Sequence, residues 1–290
     1  MATSSDELLL RCTFPEPGTR IECAFSGGAD STALIWLARR AGCVPVAHHV
    51  DHRLRPTSGD EATTARAIAE GLGIEFVLHT VEVAPGPNLE ARARAARRSV
   101  LPAGAATGHT ADDRAETFLL RLLRGSGTTG LAAMKPGPTH PILALRRAET
   151  LAVCAALEID PVDDPTNHSV DHRRNRVRHE LLPLADDIAR RDVTPLVNRA
   201  AELLDEEDRF LDELAGAIDP TDARAIAAAP VVLARRALRR WLTVDGFPPD
   251  REAIDRVLAV AHGEAIACEL PGGRRLARRG QRFRIEPVGE

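Results

Sequence analysis

The chain has 290 residues, of which 44% are hydrophobic and 28% are charged, and its formal net charge at pH 7 is −4. This composition is typical of a soluble globular protein with one large or two ordinary domains. The first residues are acidic where a signal peptide would be basic, and no apolar run is long enough to cross a membrane, so we expect a cytoplasmic protein without a membrane partner. Its five cysteines are scattered and form no C-x-x-C pair, which argues against a disulfide framework, a zinc site and an iron–sulfur cluster.

Apolar, β-like runs alternate with helical patterns over the first part of the chain. Strands are predicted at residues 21–25, 44–50, 74–83 and 105–108, and helices near residues 31–41, 59–72, 89–99 and 112–124. This alternation predicts an α/β fold with a parallel sheet, helices on both faces of the sheet, and a ligand site at the carboxyl ends of the strands.

From about residue 186 onward the pattern becomes helical. Apolar residues at helical spacing cover residues 196–214, 223–241 and 250–262, and a short β-ribbon or tail is predicted from 269 to 285. We therefore expect two domains, a parallel-sheet nucleotide-binding domain over residues 1–188 and a smaller, mostly helical domain over residues 189–290.

Arginine supplies nearly all of the positive charge, since Lys135 is the single lysine. Arginines cluster at residues 92–98, 173–178, 235–240 and 274–284. Such clusters predict contacts with a phosphate backbone, and a solvated, salt-bridged surface is the alternative.

The first predicted strand is followed by Ser26-Gly27-Gly28-Ala29-Asp30-Ser31, which leads into a predicted helix. Glycines let consecutive backbone N–H groups face one anion, the helix N-terminus adds a positive dipole, and the two serine hydroxyls can donate hydrogen bonds. The carboxylate of Asp30 would repel phosphates unless a cation intervened, which favours magnesium. The hexapeptide thus predicts a nucleotide-phosphate site, with an ordinary tight turn as the alternative.

Two further polar clusters follow predicted strands, at residues 48–52 and 108–113. In the second of them, His109 precedes Asp112 and Asp113, which begin a predicted helix. Acidic residues in a first helical turn are also favoured by the helix dipole alone. Because the carboxyl ends of parallel strands meet at one edge of a sheet, we expect these two aspartates to hold magnesium together with Asp30.

An ordered set of motifs covers roughly residues 20–185. It consists of Ser26–Ser31; His49-Val50-Asp51-His52-Arg53-Leu54-Arg55 with Ser58; Gly108–Thr117; Arg124–Gly127; and Asp164-Pro165-Thr166-Asn167 followed by Arg174-Asn175-Arg176-Val177-Arg178. This set resembles the tRNA(Ile)-lysidine synthetases, a family of PP-loop ATP pyrophosphatases with a Rossmann-like catalytic domain. Arg98, Thr110 and Arg114 depart from the residues usual in the family, which bears on tRNA or lysine contacts more than on the ATP chemistry.

The resemblance implies an ATP-dependent ligase that joins L-lysine to C2 of the wobble cytidine in the minor isoleucine tRNA with anticodon CAU. ATP would adenylate the C2 oxygen and release pyrophosphate, and the ε-amine of free lysine would then attack C2 and expel AMP. The implied cofactors are ATP and Mg²⁺, and the implied partners are this tRNA and L-lysine. The sequence leaves open whether the chain forms a homodimer.

The resemblance also implies roles for individual residues. ATP is expected on Ser26, Gly27, Gly28, Ala29, Asp30 and Ser31, and magnesium on Asp30, Asp112 and Asp113. The expected catalytic residues are the same three aspartates with His109 and His52, either of which can accept the proton of the lysine amine. Contacts with tRNA are expected at Arg94, Arg97, Arg174, Arg176 and Arg178.

Two other interpretations stay open. Another PP-loop enzyme would adenylate a carboxylate, a urea-like group or a different tRNA base, although the tRNA thiolases of this superfamily typically need cysteine pairs that this chain lacks. A non-catalytic nucleotide sensor or RNA-binding protein would have no need for Asp30, Asp112 and Asp113 as magnesium ligands.

Overall fold

The computed structural model describes residues 4–53, 58–82, 86, 89–132, 134–162 and 173–287. The chain divides into two compact units, Met1–Glu202 and Leu203–Glu290. In the first unit the described elements are α1 (Ser5–Leu9), β1 (Arg20–Ala24), α2 (Ala29–Arg40), β2 (Val44–Asp51), α3 (Ser58–Gly71), β3 (Glu75–Thr80), α4 (Leu89–Val100), α5 (Ala111–Leu122), α6 (Thr128–Leu131), α7 (Arg147–Ala156), α8 (Arg173–Arg176), a π-helical turn (Val177–Leu181) and α9 (Leu182–Ala189).

The first unit contains the predicted parallel sheet, in the order β1-β2-β3. The predicted fourth strand at 105–108 is wrong in extent, because the described chain there makes only a bridge at Ala106. Ala106 donates to Glu22 O (2.7 Å) and accepts from Ala24 N (2.8 Å), so it still lies beside β1. The next residue, Thr107, donates its N–H to Thr139 O instead (2.9 Å), and the chain leaves the sheet. Alanine and glycine are also poor strand formers.

The core of the first unit lies between the sheet and its crossover helices. Leu34, Ile35 and Leu37 of α2 are fully buried and belong to one cluster with Ile21 and Cys23 of β1. The helix ends with Arg39 and Arg40 in its last turn, where cations favour the negative end of the dipole. This packing fixes the N-terminus of α2 at the carboxyl end of β1.

The helix α10 (Thr194–Gly216) crosses the boundary between the units, and the second unit continues with α11 (Ala223–Ala228), α12 (Val231–Leu242), α13 (Arg251–His262), β4 (Ala267–Leu270), β5 (Arg274–Arg279) and β6 (Arg282–Pro287). Its core contains the fully buried Leu238, Val257 and Leu276. The predicted β-ribbon is an antiparallel sheet of three strands in the order β4-β5-β6. No helix in the described ranges is long and apolar enough to span a bilayer.

The division into domains at residues 188 and 189 stays a prediction, and the compact units divide inside α10 instead. The start of α10 is tied to α5 of the first unit. Asn198 Nδ2 donates to Ala111 O (2.9 Å), and Glu202 forms an ion pair with Arg114 (2.8 Å). These contacts explain why residues up to Glu202 group with the parallel sheet.

Candidate active site

A cleft of about 1040 Å³ lies at the carboxyl ends of β1 and β2. Its walls include Ser26 and Asp30 from the first polar cluster, His52 from the second, and His109 and Asp113 from the third. The structure therefore brings the three clusters together, as expected for parallel strands that end at one edge of a sheet.

The loop between β1 and α2 is held in one conformation by Gly27. This residue has a φ of +83°, which favours glycine, and a Cβ there would lie 2.8 Å from Val162 Cγ2 and 3.2 Å from Ala65 Cβ. The Gly27 carbonyl accepts hydrogen bonds from Val162 N (3.0 Å) and Thr32 Oγ1 (3.3 Å). A side chain at Gly27 would therefore displace the loop.

The N-terminus of α2 is open at the cleft. Gly28 is its N-cap, and within the described chain no side chain caps the helix. Ser31 Oγ donates to Gly28 O (3.0 Å) and lies 3.2 Å from both the amide nitrogen and Oγ of Ser26. The first N–H groups of a helix lack partners within the helix and carry the positive end of its dipole. Such a set of unpaired donors is chemically suited to an anion such as phosphate.

Gly108 lets the loop after Ala106 pack directly against the start of α2. A Cβ on Gly108 would lie 2.8 Å from the carbonyl carbon and oxygen of Asp30 and 2.9 Å from the amide nitrogen of Ser31. These are backbone atoms, so neither loop can make room by changing a rotamer. Gly108 begins the motif Gly108–Thr117, and this close approach explains why the position needs a glycine.

We expect Gly108→Ala to shift Asp30 and to raise KM for ATP about 5- to 150-fold, since overpacking a close-packed site costs about 1–3 kcal/mol. Steady-state kinetics of pyrophosphate release and a thermal melt measure the two effects. Gly127→Ala is the matched control, because Gly127 has a φ of −77° and its Cβ would meet nothing within 4 Å. An unchanged KM in Gly108→Ala would contradict the close approach.

Arg147 joins three carboxylates at the cleft. Its guanidinium nitrogens lie 3.4 Å from Asp30 Oδ2, 2.9 Å from Asp113 Oδ1 and 3.2 Å from Glu116 Oε1. Thr150 Oγ1 donates to the other oxygen of Asp30 (2.5 Å). Burial raises the pKa of the Asp30 carboxyl above its ordinary value, although Thr150 and Arg147 oppose this rise. Arg147 therefore links the three carboxylates but neutralises only part of their charge.

Glu116 is fully buried and accepts from two further arginines. Arg174 Nε lies 2.6 Å and Arg178 Nε 2.7 Å from its carboxylate, and Arg174 also reaches Asp113 Oδ1 (3.0 Å). Burial alone would raise the pKa of Asp113, but the charges of Arg147 and Arg174 outweigh it and lower this pKa overall. A buried carboxylate needs such partners. Glu116 thereby holds three guanidinium groups at the cleft, where they suit phosphate oxygens.

Asp112 lies apart from this cluster although it is next to Asp113 in sequence. Its carboxylate accepts from Arg146 Nη2 (3.0 Å) and from the amide nitrogen of Arg147 (2.8 Å), and it is not among the residues that line the cleft. Arg146 also pairs with Asp192 (2.5 Å). The role of Asp112 as a magnesium ligand stays a prediction that this geometry does not favour.

The donor set formed by Asp30 and Asp113 fits a hard cation bound together with ATP. Magnesium in nucleotide sites is usually held by one or two carboxylates, with phosphate and water oxygens completing the octahedron. Among the described residues no group of three or more acidic, histidine or cysteine side chains forms an all-protein metal site. The two carboxylates of Asp30 and Asp113 therefore match a site in which nucleotide and water oxygens complete the coordination of the metal.

The two candidate histidines both lie at the cleft. His109 Nδ1 is 2.6 Å from Thr107 Oγ1, and burial lowers the pKa of His109 to about 4. Burial also lowers the pKa of His52, whose buried Nδ1 has no hydrogen-bond partner in the described structure. A pKa of about 4 keeps the His109 ring neutral at pH 7.

Four of the five arginines predicted to bind tRNA have described side chains, and these four occupy different environments. Arg97 lines the cleft, and Arg176 is exposed and pairs with Glu180 (2.8 Å). Arg174 and Arg178 are the partners of Glu116 described above. Arg94 lies in α4, but its side chain is outside the described residues, as is the motif at 164–167. The described arginines of this set are therefore divided between the cleft and the exposed surface.

Three residues of the site were missed by sequence reasoning. Glu116 stood in a recognised motif without a role, and its spacing of three from Asp113 on a helix was the signal that both face one side. Arg147 and Thr150 lie on α7, in a segment without any motif, and no local pattern identified them. They reach the site only through tertiary packing.

Two departures from the family pattern have structural explanations. Thr110 is buried, and its N–H and Oγ1 donate to Asp113 Oδ2 (2.8 and 2.9 Å), so it orients the aspartate toward the arginines. Arg114 is buried against Glu202 and does not line the cleft. The third departure, Arg98, is exposed on α4. The structure thus assigns Thr110 to the site and Arg114 to the scaffold.

Comparison with known proteins agrees with this geometry. A family model described as a PP-loop domain matches residues 1–185. That match spans more than half of the chain and includes β1, the open N-terminus of α2 and the loop that carries Asp113. Fold and site together define a PP-loop protein.

Curated relatives narrow the class. The tRNA(Ile)-lysidine synthase of Nocardia farcinica is 39% identical over 288 residues, covering 91% of this chain and 91% of the relative. The same enzyme of Rhodococcus erythropolis is 42% identical over 248 residues, covering 80% of this chain and 76% of the relative. That of Cutibacterium acnes is 35% identical over 279 residues. The chain belongs to the tRNA(Ile)-lysidine synthase family.

A solved structure supports the fold independently. The U34-tRNA thiolase NcsA from Methanococcus maripaludis matches 70% of this chain and 78% of its own with a TM-score of 0.54. The two sequences are 17% identical over the match. At that identity the likeness establishes a shared fold and carries no statement about substrate.

Proposed function

We propose that the chain uses ATP to ligate L-lysine to C2 of the wobble cytidine of an isoleucine tRNA with anticodon CAU, releasing AMP and pyrophosphate. The relatives named tRNA(Ile)-lysidine synthase support this reaction. The structural observation that carries it is the cleft in which an open helix N-terminus, two acidic side chains and three arginines converge.

ATP is proposed to bind with its phosphates on the loop of residues 26–31. The uncapped N–H groups of α2 and the hydroxyls of Ser26 and Ser31 are the donors available there. Asp30 and Asp113 would hold Mg²⁺, which when bound neutralises phosphate charge and polarises the α-phosphate toward attack. Arg147 pairs with both aspartates and with Glu116, so once the aspartates hold magnesium its guanidinium stays anchored by Glu116 and can face phosphate oxygens.

The first step forms a bond between the cytidine C2 oxygen and the α-phosphorus, and breaks the bond from that phosphorus to the bridging oxygen of pyrophosphate. Negative charge grows on the pyrophosphate. Arg174 and Arg178 are fixed by Glu116 at the cleft and offset this charge without having to reorganise, which is the most effective form of electrostatic stabilisation.

The second step forms a bond between lysine Nε and C2 and breaks the bond from C2 to the adenylate oxygen, so AMP leaves. The ammonium group must first lose a proton, and its ordinary pKa is about 10.4. Because its pKa is about 4, His109 is a poor acceptor for this proton. His52 also lines the cleft, and its Nδ1 has no hydrogen-bond partner in the described structure, so His52 is the base that we propose.

For tRNA we propose contacts with Arg97, Arg176 and the basic surfaces of the second unit, with Arg94 as a further candidate. Arg174 and Arg178 serve the cleft first, since both are bound to a buried carboxylate. A homodimer and a cytoplasmic location stay predictions.

Incubation of the chain with ATP, labelled lysine and tRNA tests the proposed function. We expect label in the isoleucine tRNA with a CAU anticodon, and none in the same transcript when the wobble cytidine is replaced by uridine. Label in both transcripts, or in neither, would contradict the proposal. Lysine aminoacylation is distinguished by mild alkali, which cleaves an ester at the 3′ end but leaves a C2-linked amine intact.

A further inference from the structure

His109 is held at the cleft in one ring orientation. Its Nδ1 lies 2.6 Å from Thr107 Oγ1, and the ring of His140 lies against it with the two ring centroids 5.2 Å apart. Thr107 is itself fixed, since its N–H donates to Thr139 O (2.9 Å). The Nδ1 edge of the imidazole is thus turned to the protein. Nε2 is the ring nitrogen left for a ligand in the cleft that His109 lines.

The Thr107 hydroxyl decides which nitrogen of His109 carries the proton. A hydroxyl has a single proton, and Thr107 Oγ1 donates it to Thr139 O (3.1 Å). Thr107 Oγ1 can then only accept from His109, so the proton of the neutral imidazole lies on Nδ1. Nε2 has no proton and no hydrogen-bond partner among the residues that the structure describes. His109 therefore presents a hydrogen-bond acceptor to the cleft.

The low basicity of His109 keeps this acceptor constant. Burial lowers the pKa of the ring to about 4, so near pH 7 Nε2 stays unprotonated and does not become a donor. A group too weak to take the proton of a lysine ammonium is still able to accept a hydrogen bond. If a ligand sets a second acceptor against such a nitrogen, the nitrogen is left unpaired, which costs free energy. The acceptor therefore discriminates between ligands.

The position of His109 places it beside the reacting cytosine rather than beside the adenine of ATP. The preceding residue, Gly108, packs against the backbone of Asp30 and Ser31, and the charge of Asp113 acts on the His109 ring. The two aspartates are the proposed magnesium ligands next to the phosphates. In the proposed reaction the C2 oxygen of cytosine bonds to the α-phosphorus, so the cytosine ring lies directly at that phosphate, whereas adenine is a ribose away.

Cytosine has one group that can pair with this acceptor. Its C2 oxygen and N3 are acceptors themselves, and only the 4-amino group donates. Uracil carries an oxygen at position 4 and would set one acceptor against another. Proteins that recognise a single unstacked base do so through hydrogen bonds on this base-pairing edge.

We propose that His109 Nε2 accepts a hydrogen bond from the 4-amino group of the wobble cytidine and thereby selects cytosine over uracil, with Thr107 as the positioning residue that fixes the tautomer. The proposal rests on the proposed function, which brings this cytidine to the cleft. It gives His109 a role in base specificity in place of the proton-accepting role expected from the sequence.

Pyrophosphate release without lysine, from transcripts with cytidine or pyrimidin-2-one at the wobble position, tests this contact. Pyrimidin-2-one keeps the C2 oxygen and N3 of cytosine but lacks the amino group. In the wild-type chain its kcat/KM should be about 5- to 150-fold lower than that of cytidine, the cost of leaving one buried acceptor unpaired. In His109→Leu the cytidine transcript should fall by a similar factor, and the two transcripts should then react equally fast.

Two further variants separate this contact from a general effect on the cleft. His179→Leu is the matched control, since His179 also lines the cleft and loses the same side chain, and it should keep the full difference between the transcripts. In Thr107→Val the tautomer is no longer fixed, so the difference should shrink although His109 remains. If a thermal melt shows that His109→Leu does not fold, Thr107→Val decides the comparison.

Nitrogen NMR of the His109 ring reports the tautomer without any substrate. We expect a protonated Nδ1 and an unprotonated Nε2 in the wild-type chain near pH 7. A protonated Nε2 would make the ring a donor toward the cleft and would overturn the assignment.

The kinetic outcomes distinguish this contact from the other donors in the reaction. If His109→Leu raises only KM for lysine, the acceptor faces the lysine ammonium, and if it raises only KM for ATP, the acceptor faces adenine; either result overturns the assignment. A full difference between the two transcripts in His109→Leu also overturns it, while the proposed function stands. A wild-type chain that releases no pyrophosphate with the cytidine transcript contradicts the proposed function itself.

Discussion

Replacing Asp30 with asparagine is expected to lower the rate of tRNA-dependent pyrophosphate release about 10²–10³-fold, the loss typical for removal of one electrostatic contact to a reacting group. Asp30 is the acidic residue of the first turn of α2, directly beside the open helix N-terminus. Without its charge, the proposed magnesium site keeps a single carboxylate, Asp113. Rapid-quench measurement of pyrophosphate from labelled ATP gives the rate.

The fold should survive this change. Arg147 keeps its contacts with Asp113 (2.9 Å) and Glu116 (3.2 Å) when Asp30 is neutral. Since burial raises the pKa of Asp30, its ionised form is disfavoured where it lies, and the melting temperature of Asp30→Asn should not fall. Asp6→Asn, which removes an exposed aspartate paired with Arg40 (3.1 Å), is the charge-matched control. Wild-type turnover in Asp30→Asn would show that Asp30 does not take part in the reaction.

The second large effect on turnover is expected at Asp113, which lines the cleft, whereas the adjacent Asp112 does not. We expect Asp113→Asn to lower turnover about 100-fold and to raise the magnesium concentration needed for half-maximal rate. Asp112→Asn should lower stability, since Arg146 and the start of α5 lose a charged partner, and should leave the magnesium requirement unchanged. Titrating magnesium at saturating ATP measures the difference.

The variants Asp112→Asn and Asp113→Asn also distinguish two explanations for the acidic residues at the start of α5. If both variants change only the melting temperature, the aspartates serve the helix dipole and the magnesium site lies elsewhere. Equal increases in the magnesium requirement would return Asp112 to the ligand set.

The pKa of Asp113 is lowered in the folded chain, so the stability from its ion pairs is present above the ordinary carboxyl pKa and is lost as the pH falls below it.

The architecture around the cleft could be predicted because its signals are local. The apolar runs that became β1 and β2, and the glycines before α2, each lie within a few residues of one another in sequence. The ends of parallel strands then meet by geometry alone. The strand expected at 105–108 is reduced to a bridge at Ala106 because Thr107 bonds to Thr139 and Gly108 packs against Asp30, two tertiary contacts that a local pattern does not contain.

The charge network could not be predicted in the same way. Arg147 is separated from Asp30 by 117 positions in sequence, and only the packing of α7 against α2 brings them together. The two adjacent aspartates looked equivalent as a motif. On a helix, however, neighbouring residues point about 100° apart, and only Asp113 of the two lines the cleft together with Asp30.

The order of the two chemical steps is tested most directly by pyrophosphate release in the absence of lysine. If the cytidine is adenylated first, the chain mixed with ATP, magnesium and the isoleucine tRNA transcript releases about one pyrophosphate per bound tRNA without any lysine, and lysine added later converts that tRNA to product with release of AMP. The wobble-uridine transcript should give no pyrophosphate. Pyrophosphate release that requires lysine but not tRNA would mean that a carboxylate is adenylated instead, and would contradict the proposed reaction.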